Sequence, residues 1–405
     1  MKCRMCHRTD LELFLDLGFI PRVDRFLTPE ELNEPEVFFP LSVYLCKSCG
    51  LAQLGYIVPA QELFNGNYAY ESSTTKGRRD NHLQLANYVC NEFKIPKNSL
   101  IVDIGSNVGM LLEFFKQNGM HVIGVDASSN VAQIGNSKGI KTIIGFFNDK
   151  IVRDILAENG QAAVITATNV FAHIQDYDSF MLALTSLLSD DGIFVFQVPH
   201  FLQLVRHLEY DTIYHEHISY FGIKPLIRFF ERFDLELFDV IETEIDGGSI
   251  RCFVSRKGKR TISNNIKRIL DTEEKERIYS LERLKKFAED VKTQKKLLIE
   301  LLVSLGKNSK IVGIGAPAKG MTMLNYCKID ADVLDYVTEK SSLKIGKFTP
   351  GMHIPVKPDD ILLEDKPDYA VIFAWNFAEE IMKNLEGYKK AGGKFIIPIP
   401  HPRIV

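Results

Sequence analysis

From Leu100 onward the chain alternates short apolar runs with segments whose apolar residues recur every three or four positions. "SLIVDIG", "HVIGVDAS", "KTIIGFF", "AAVITATN" and "GIFVFQVP" have strand length, and Met110–Gln117 reads as a helix between the first two. Apolar runs of this length separated by helical patterns predict a parallel, doubly wound α/β sheet. "LELFDVIETE" and "SIRCFVSR" are joined by a short link containing Gly247 and Gly248. They are expected to pair antiparallel and close one edge. An amphipathic helix is expected from about Arg78. Residues 257–306 read as helical, with Leu281, Leu284, Ala288, Val291, Leu298 and Leu301 at helical spacing and Lys and Glu between them as a solvated face. "KIVGIGAPAKGMTMLNYC" opens a second strand–loop–helix unit, followed by "VLDYVTE", "YAVIFAW" and "GKFIIPIP". The first 66 residues have little periodicity and several prolines. The pattern divides the chain into a small module at 1–66, an α/β domain at 67–256, and a helical linker with a smaller α/β domain at 257–405.

Composition supports several buried cores: of 405 residues, 45% are hydrophobic and 25% charged. A net charge of −3 argues against a dedicated nucleic-acid binder. No window holds the roughly 18 continuous apolar residues of a membrane span. The start "MKCRMC" lacks an apolar signal core. A cytoplasmic protein without nucleic-acid or membrane partners is therefore expected, and a monomer is the working expectation for a state that the sequence leaves open.

Four of the seven cysteines form two close pairs, Cys3/Cys6 and Cys46/Cys49. Each pair places two sulfurs near one tetrahedral centre, and zinc takes four such ligands. With no open coordination position, the expected site is structural. The 39 residues between Cys6 and Cys46 exceed the gap of a compact ribbon, and the adjacent His7 offers a substitute ligand. Cys90, Cys252 and Cys327 sit in apolar surroundings and are expected to be buried.

"VDIGSNVGMLLEFF" follows a strand and opens a helix. Gly105 and Gly109 allow close backbone approach, and a helix start turns its amides outward. The spacing is not the G-x-G-x-x-G of dinucleotide folds. Twenty-one residues past Gly105, Asp126 ends the next strand, where a carboxylate can accept both ribose hydroxyls. This is the layout of class I S-adenosylmethionine enzymes: Asp103, then a loop through Gly105, Ser106, Asn107 and Gly109, then Asp126. Asn169 follows the fourth strand of the series, where ligands of open sheets bind.

"DTIYHEHISYF" (211–221) crowds Tyr214, His215, Glu216, His217 and Tyr220 together. Three readings compete. If the run is extended, His215 and His217 share a face and could hold a metal with a distant third ligand. It could be a polar surface turn, though it is rich in aromatics. As an acid/base site it is well stocked, since histidine takes a proton near neutral pH, tyrosine donates one and a carboxylate orients the imidazole.

The sequence resembles the bacterial sugar C-methyltransferases over nearly its whole length. The resemblance rests on the Cys pairs, "LDLG", "NYAYESS", "VDIGSNVGMLLEFF", "YDTIYHEHISYF", "GIGAPAKGMTMLNYC", "FTPGMHIPV" and "AWNFAEEI". It implies a zinc-binding module, a class I methyltransferase domain and a C-terminal Rossmann-like domain forming part of the substrate cleft. It implies S-adenosylmethionine-dependent C-methylation, at C3 with C5 the open alternative, of a nucleotide-linked 4-keto-deoxysugar in branched deoxysugar biosynthesis. Carried over by motif, His217 is the base, Tyr214 contacts substrate and stabilises or reprotonates the enolate, and Glu216 orients the histidine. His173 approaches the keto group, Tyr70 closes over cofactor and sugar, and Tyr68 contacts substrate. Two positions depart from the family pattern: Val108 stands where the cofactor loop usually has Asp, and Gln197 where glutamate is usual.

"GIGAPAKG" joins a strand to a helix, with Lys319 placed to pair with a phosphate of a sugar-nucleotide diphosphate. His353 in "PGMHIP" is a candidate for the same cleft. An O-methyltransferase would need one base and no enolate partner. A non-catalytic binding module would be expected to have lost Gly105, Gly109 or Asp126.

Overall fold

The computed structural model describes residues 1–64 and 76–405. Tyr68 and Tyr70 lie outside the described residues. The N-terminal module is an antiparallel sheet of β1 (Leu11–Pro21), β2 (Phe38–Cys46) and β3 (Ala52–Leu54). Along β2, Leu41, Val43 and Leu45 alternate onto one buried face, the period of a pleated strand. A short helix, α1 (Ala60–Leu63), ends the module. Helix α2 (Lys76–Glu92) buries His82, Ala86 and Cys90 beside Asn81, Leu85 and Val89, two neighbouring rows of one helix face.

The apolar runs of the central region become β4 (Leu100–Ile104), β5 (His121–Asp126), β6 (Thr142–Ile144), β7 (Ala162–Thr168) and β8 (Leu188–Pro199), all parallel. Helix α3 (Met110–Gln117) follows β4, as its apolar spacing predicts. The two residues of β9 (Ser219–Tyr220) leave this domain and pair with β3, extending the N-terminal sheet. β10 (Leu235–Thr243) and β11 (Ser249–Arg256) complete the central sheet in the order β10-β11-β8-β7-β4-β5-β6. β11 runs antiparallel to both neighbours, and β10 forms the edge. This is the mixed sheet of class I methyltransferases.

The helical region contains the helices Asn264–Lys275 and Leu281–Gly306. The second buries Leu284, Phe287, Val291, Leu298 and Leu302 in a core shared with Phe14 and Leu15 of β1 and Ile311 of the C-terminal sheet. That sheet comprises β12 (Ile311–Ile314), β13 (Val337–Glu339), β14 (Val356–Pro358), β15 (Tyr369–Ile372), β16 (Lys394–Ile397) and β17 (Arg403–Ile404), in the order β14-β13-β12-β15-β16-β17. Only β17 is antiparallel to its neighbour. Cys90, Cys252 and Cys327 are buried, as expected. No helix among the described residues is long and apolar enough to cross a membrane.

Candidate active site and metal centre

Cys3 and Cys6 flank one tight turn, closed by the His7 N–H to the Cys3 carbonyl. Cys46 and Cys49 flank another, closed by the Gly50 N–H to the Cys46 carbonyl. The turns face each other. Cys3 Sγ is 3.6 Å from Cys49 Sγ, Cys6 Sγ is 3.5 Å from Cys46 Sγ, and all four sulfurs lie within 4.8 Å of one another. A tetrahedron with Zn–S bonds of about 2.3 Å has edges of about 3.8 Å, so the set fits a structural zinc ion. Among the described residues this is the only group of three or more Cys, His, Asp or Glu side chains placed to share a metal. The expectation that His7 could replace a sulfur is corrected: its Nε2 meets Asp178 at 2.9 Å.

A cavity of about 530 Å³ opens at the carboxyl ends of β4, β5 and β7. Asp103, Gly105, Ser106, Asn107, Asp126 and Asn169 all line it. Asp126 accepts from the Asn107 N–H and the Ser128 N–H, both at 2.8 Å, so it ties two loops together at the cavity wall. Asp103 accepts from the Thr166 hydroxyl at 2.6 Å, and burial pushes its carboxyl up to about 7. Gly105 has φ +69°, and a Cβ there would stand 2.3 Å from Val170 Cγ2, so only glycine fits. Ser106 Oγ and Asn169 Oδ1 are buried without hydrogen-bond partners among the described residues. Phe146 and Phe147 add apolar ring surface. Acidic acceptors, unpartnered polar atoms and ring faces together fit an adenosine-bearing zwitterion such as S-adenosylmethionine. Gly109 starts α3 in a left-handed conformation against Ile140. Val108 beside it is packed inside and 1% exposed.

The run "YHEH" is neither extended nor a surface turn. Tyr210–Thr212 is a single 3₁₀ turn, and the His217 N–H bonds back to the Tyr214 carbonyl. His215 and His217 consequently diverge. His215 is 1% exposed and meets Phe39 edge-on at 5.7 Å, which corrects the shared-face metal reading. His217 Nδ1 is 2.9 Å from the Thr212 carbonyl, and its Nε2 is 2.9 Å from the Tyr214 hydroxyl. A carbonyl only accepts, so Nδ1 carries the proton and Nε2 accepts from the phenol. The orienting group is thus the Thr212 carbonyl, not Glu216 as expected; Glu216 lies in the field of Arg22. Burial pushes His217 down to about 4, against the opposing pull of Thr212, Asp246 and Asp24. His173, at the end of the 3₁₀ turn after β7, stacks on His217 at 5.3 Å and on Phe64 at 5.6 Å. It also lines the cofactor cavity, so it joins the two sites. Burial holds it well below the ordinary histidine value.

The two other expected substrate residues are placed as follows. Lys319 hydrogen-bonds the Asn376 side chain, lies 4.3 Å over the Trp375 ring, and stands in the field of Asp211, Glu209 and Asp246. His353 turns to Glu36 of the N-terminal module, with Nε2 3.0 Å from its carboxylate. Gln197 is 1% exposed and accepts from buried Arg251 at 3.1 Å, so this departure meets a buried arginine.

Three residues near the cavity escaped the sequence reading. Arg78 and His82 line it from one face of α2; their i, i+4 spacing was the available signal. Asp246, in the "DGG" link between β10 and β11, bonds both Arg78 and Asn169. A carboxylate beside two turn glycines was its only signal.

Comparison with known proteins agrees with this division. Residues 3–64 match the family model of a zinc binding domain, 78–240 that of a methyltransferase domain, and 244–400 that of a C-methyltransferase C-terminal domain. The whole chain is 32% identical to the C-methyltransferase NovU of Streptomyces niveus, covering 96% of that protein. Over 31% of this chain and 25% of the other protein it is 32% identical to sphingolipid C9-methyltransferase 2 of Gibberella zeae. Magnesium protoporphyrin IX methyltransferase of Synechocystis, solved with bound SAH, aligns over 45% of this chain and 84% of its own at 14% identity and a TM-score of 0.35.

Proposed function

The chain belongs to the C-methyltransferase family, and on that premise we propose that it methylates C3 of a nucleotide-linked 4-keto-deoxysugar. The observation that carries this reading is the Tyr214–His217 pair, 2.9 Å apart, beside a His173 that also lines the cofactor cavity. The bound cofactor supplies an electrophilic methyl group on a sulfonium. Carbon beside a carbonyl becomes nucleophilic only on losing its proton, so the site needs a base and a partner for the enolate oxygen. His217 takes the C3 proton on Nε2, which the Thr212 contact keeps unprotonated. The C3 electron pair forms the new carbon–carbon bond as the methyl–sulfur bond breaks, and the proton leaves on His217. Tyr214 turns its O–H from Nε2 to the enolate oxygen. His173, neutral because it is buried, stands by the keto group without adding charge. Tyr70 and Tyr68 are assigned to the closure over cofactor and sugar. Asp126 holds the ribose. Four cysteines kept as thiolates suit a reducing compartment, and we place the reaction in the cytoplasm.

The test offers dTDP-, CDP- and GDP-linked 4-keto-deoxyhexoses with ¹³C-methyl-labelled cofactor and locates the label by NMR. A methyl carbon bonded to C3 is expected. A methyl on oxygen overturns the enolate chemistry.

A further inference from the structure

The turn between β10 and β11 holds a carboxylate that the methyl-transfer chemistry leaves unused. Asp246 has φ 58°, and Gly247 and Gly248 follow with φ 92° and 122°. Left-handed backbone at a non-glycine residue costs on the order of 1 kcal/mol and persists where surrounding contacts hold it. The contacts here are specific. Asp246 Oδ1 accepts from Arg78 Nη2 at 2.6 Å, and Oδ2 accepts from Asn169 Nδ2 at 2.9 Å. Both donors line the cofactor cavity, and Asp246 does not.

An ionised carboxylate only accepts. Asn169 must therefore turn its NH₂ to Asp246 and its carbonyl oxygen the other way. That oxygen is the buried atom without a partner among the described residues. The rest of Asn169 is fixed as well, with φ 58° and its backbone N–H bonded to the Gln197 carbonyl at 2.8 Å. The amino-acid tail of the cofactor carries an ammonium, which donates, and a carboxylate, which accepts. An amide oxygen suits the first and a guanidinium suits the second.

We propose that Asp246 is a positioning residue for the amino-acid tail of the cofactor, setting the Asn169 oxygen for the tail's ammonium and the Arg78 guanidinium for its carboxylate. The assignment holds whichever carbon is methylated.

Calorimetry on the full chain with two ligands tests it. S-adenosylhomocysteine carries the tail; 5′-methylthioadenosine keeps the adenosine and sulfur and lacks it. Asp246→Asn, which frees the Asn169 amide to present either end, is expected to weaken S-adenosylhomocysteine by about 10-fold or more, as loss of a charge-assisted contact does. Methylthioadenosine should bind within about twofold of wild type. Equal losses for both ligands would reduce Asp246 to a structural support, and unchanged S-adenosylhomocysteine binding would remove it from the site; either result overturns the proposal. Should Asp246→Asn not fold, Asp246→Glu keeps the charge and displaces it by a methylene. It is expected to bind S-adenosylhomocysteine about threefold more weakly or worse with methylthioadenosine unchanged, and wild-type affinity for both would overturn the proposal.

Discussion

The imidazoles of His173 and His217 are stacked, with ring centroids 5.3 Å apart and planes 25° from parallel. Both are held below the ordinary histidine value, first by burial and, for His173, also by the charge His217 would carry. A depressed value keeps the base neutral to lower pH. The acid limb of kcat/KM is therefore expected near pH 4 and not near 6.5, in a pH–rate profile paired with circular dichroism to exclude unfolding. For His217, stability drawn from keeping the ring neutral is intact above about pH 6.5 and is lost as pH falls toward 4, and His173 contributes with the same sign.

His217→Asn is expected to fold and to bind S-adenosylhomocysteine as wild type does while losing about 10²–10⁴ in turnover, the usual worth of a general base. Wild type should also exchange the substrate C3 proton with solvent deuterium when S-adenosylhomocysteine replaces the methyl donor. His217→Asn should not exchange, whereas Tyr214→Phe should retain part of the exchange because Nε2 remains. Near-normal turnover in His217→Asn would move the base to His173.

Zinc should be present at about one per chain by elemental analysis. Its removal should be felt beyond the knuckles. Arg4, between two ligands, donates to the Ile218 carbonyl at 3.1 Å and the Leu54 carbonyl at 2.8 Å, tying the metal turn to the strand that follows His217. Chelation or Cys46→Ser should lower the melting temperature and turnover together. A zinc-free protein with unchanged melting would contradict this.

Asp126→Ala is expected to weaken S-adenosylhomocysteine by about 10-fold or more, since charge-assisted hydrogen bonds are worth about 1.5–3 kcal/mol. Two backbone N–H groups lose their acceptor as well, so a fall in melting temperature should accompany the loss. Unchanged calorimetric affinity would displace the ribose contact from this residue.

Lys319→Met should act on stability. The amino group offsets the acids around it, and Asp211, fully buried, accepts from Trp375 Nε1 at 2.7 Å. The expected cost is on the order of 2 kcal/mol, that of a buried polar group left undercompensated. KM for the nucleotide sugar should move less than about threefold. A large rise in KM at constant melting temperature would restore a phosphate role.

Much was written in local pattern. The strand runs from "SLIVDIG" to "GIFVFQVP", helix Met110–Gln117 and the antiparallel pair around Gly247 are set by neighbours within a few residues, where periodicity records burial directly. The four cysteines and Asp126 were also legible, because a C-x-x-C turn and a carboxylate at a strand end have meaning before the chain folds. Everything that depended on where a side chain points across the molecule had to wait for packing. The turn closed by the His217 N–H on the Tyr214 carbonyl separates His215 from His217. The partners of His217 come from backbone and phenol, so Glu216 is not needed to orient it. Lys319 stands in the field of Asp211, Glu209 and Asp246, which arrive from elsewhere in the chain and are not visible in its local motif. Asp246 becomes legible when β10 and β11 dock beside β8 and bring its turn to Arg78 and Asn169. Sequence by itself determined the elements, the metal ligands and the family's chemistry, because those rest on local periodicity and residue type. The tertiary structure decided charge balance, tautomer and orientation, because each is a sum over groups that are distant in sequence and meet only in the folded chain.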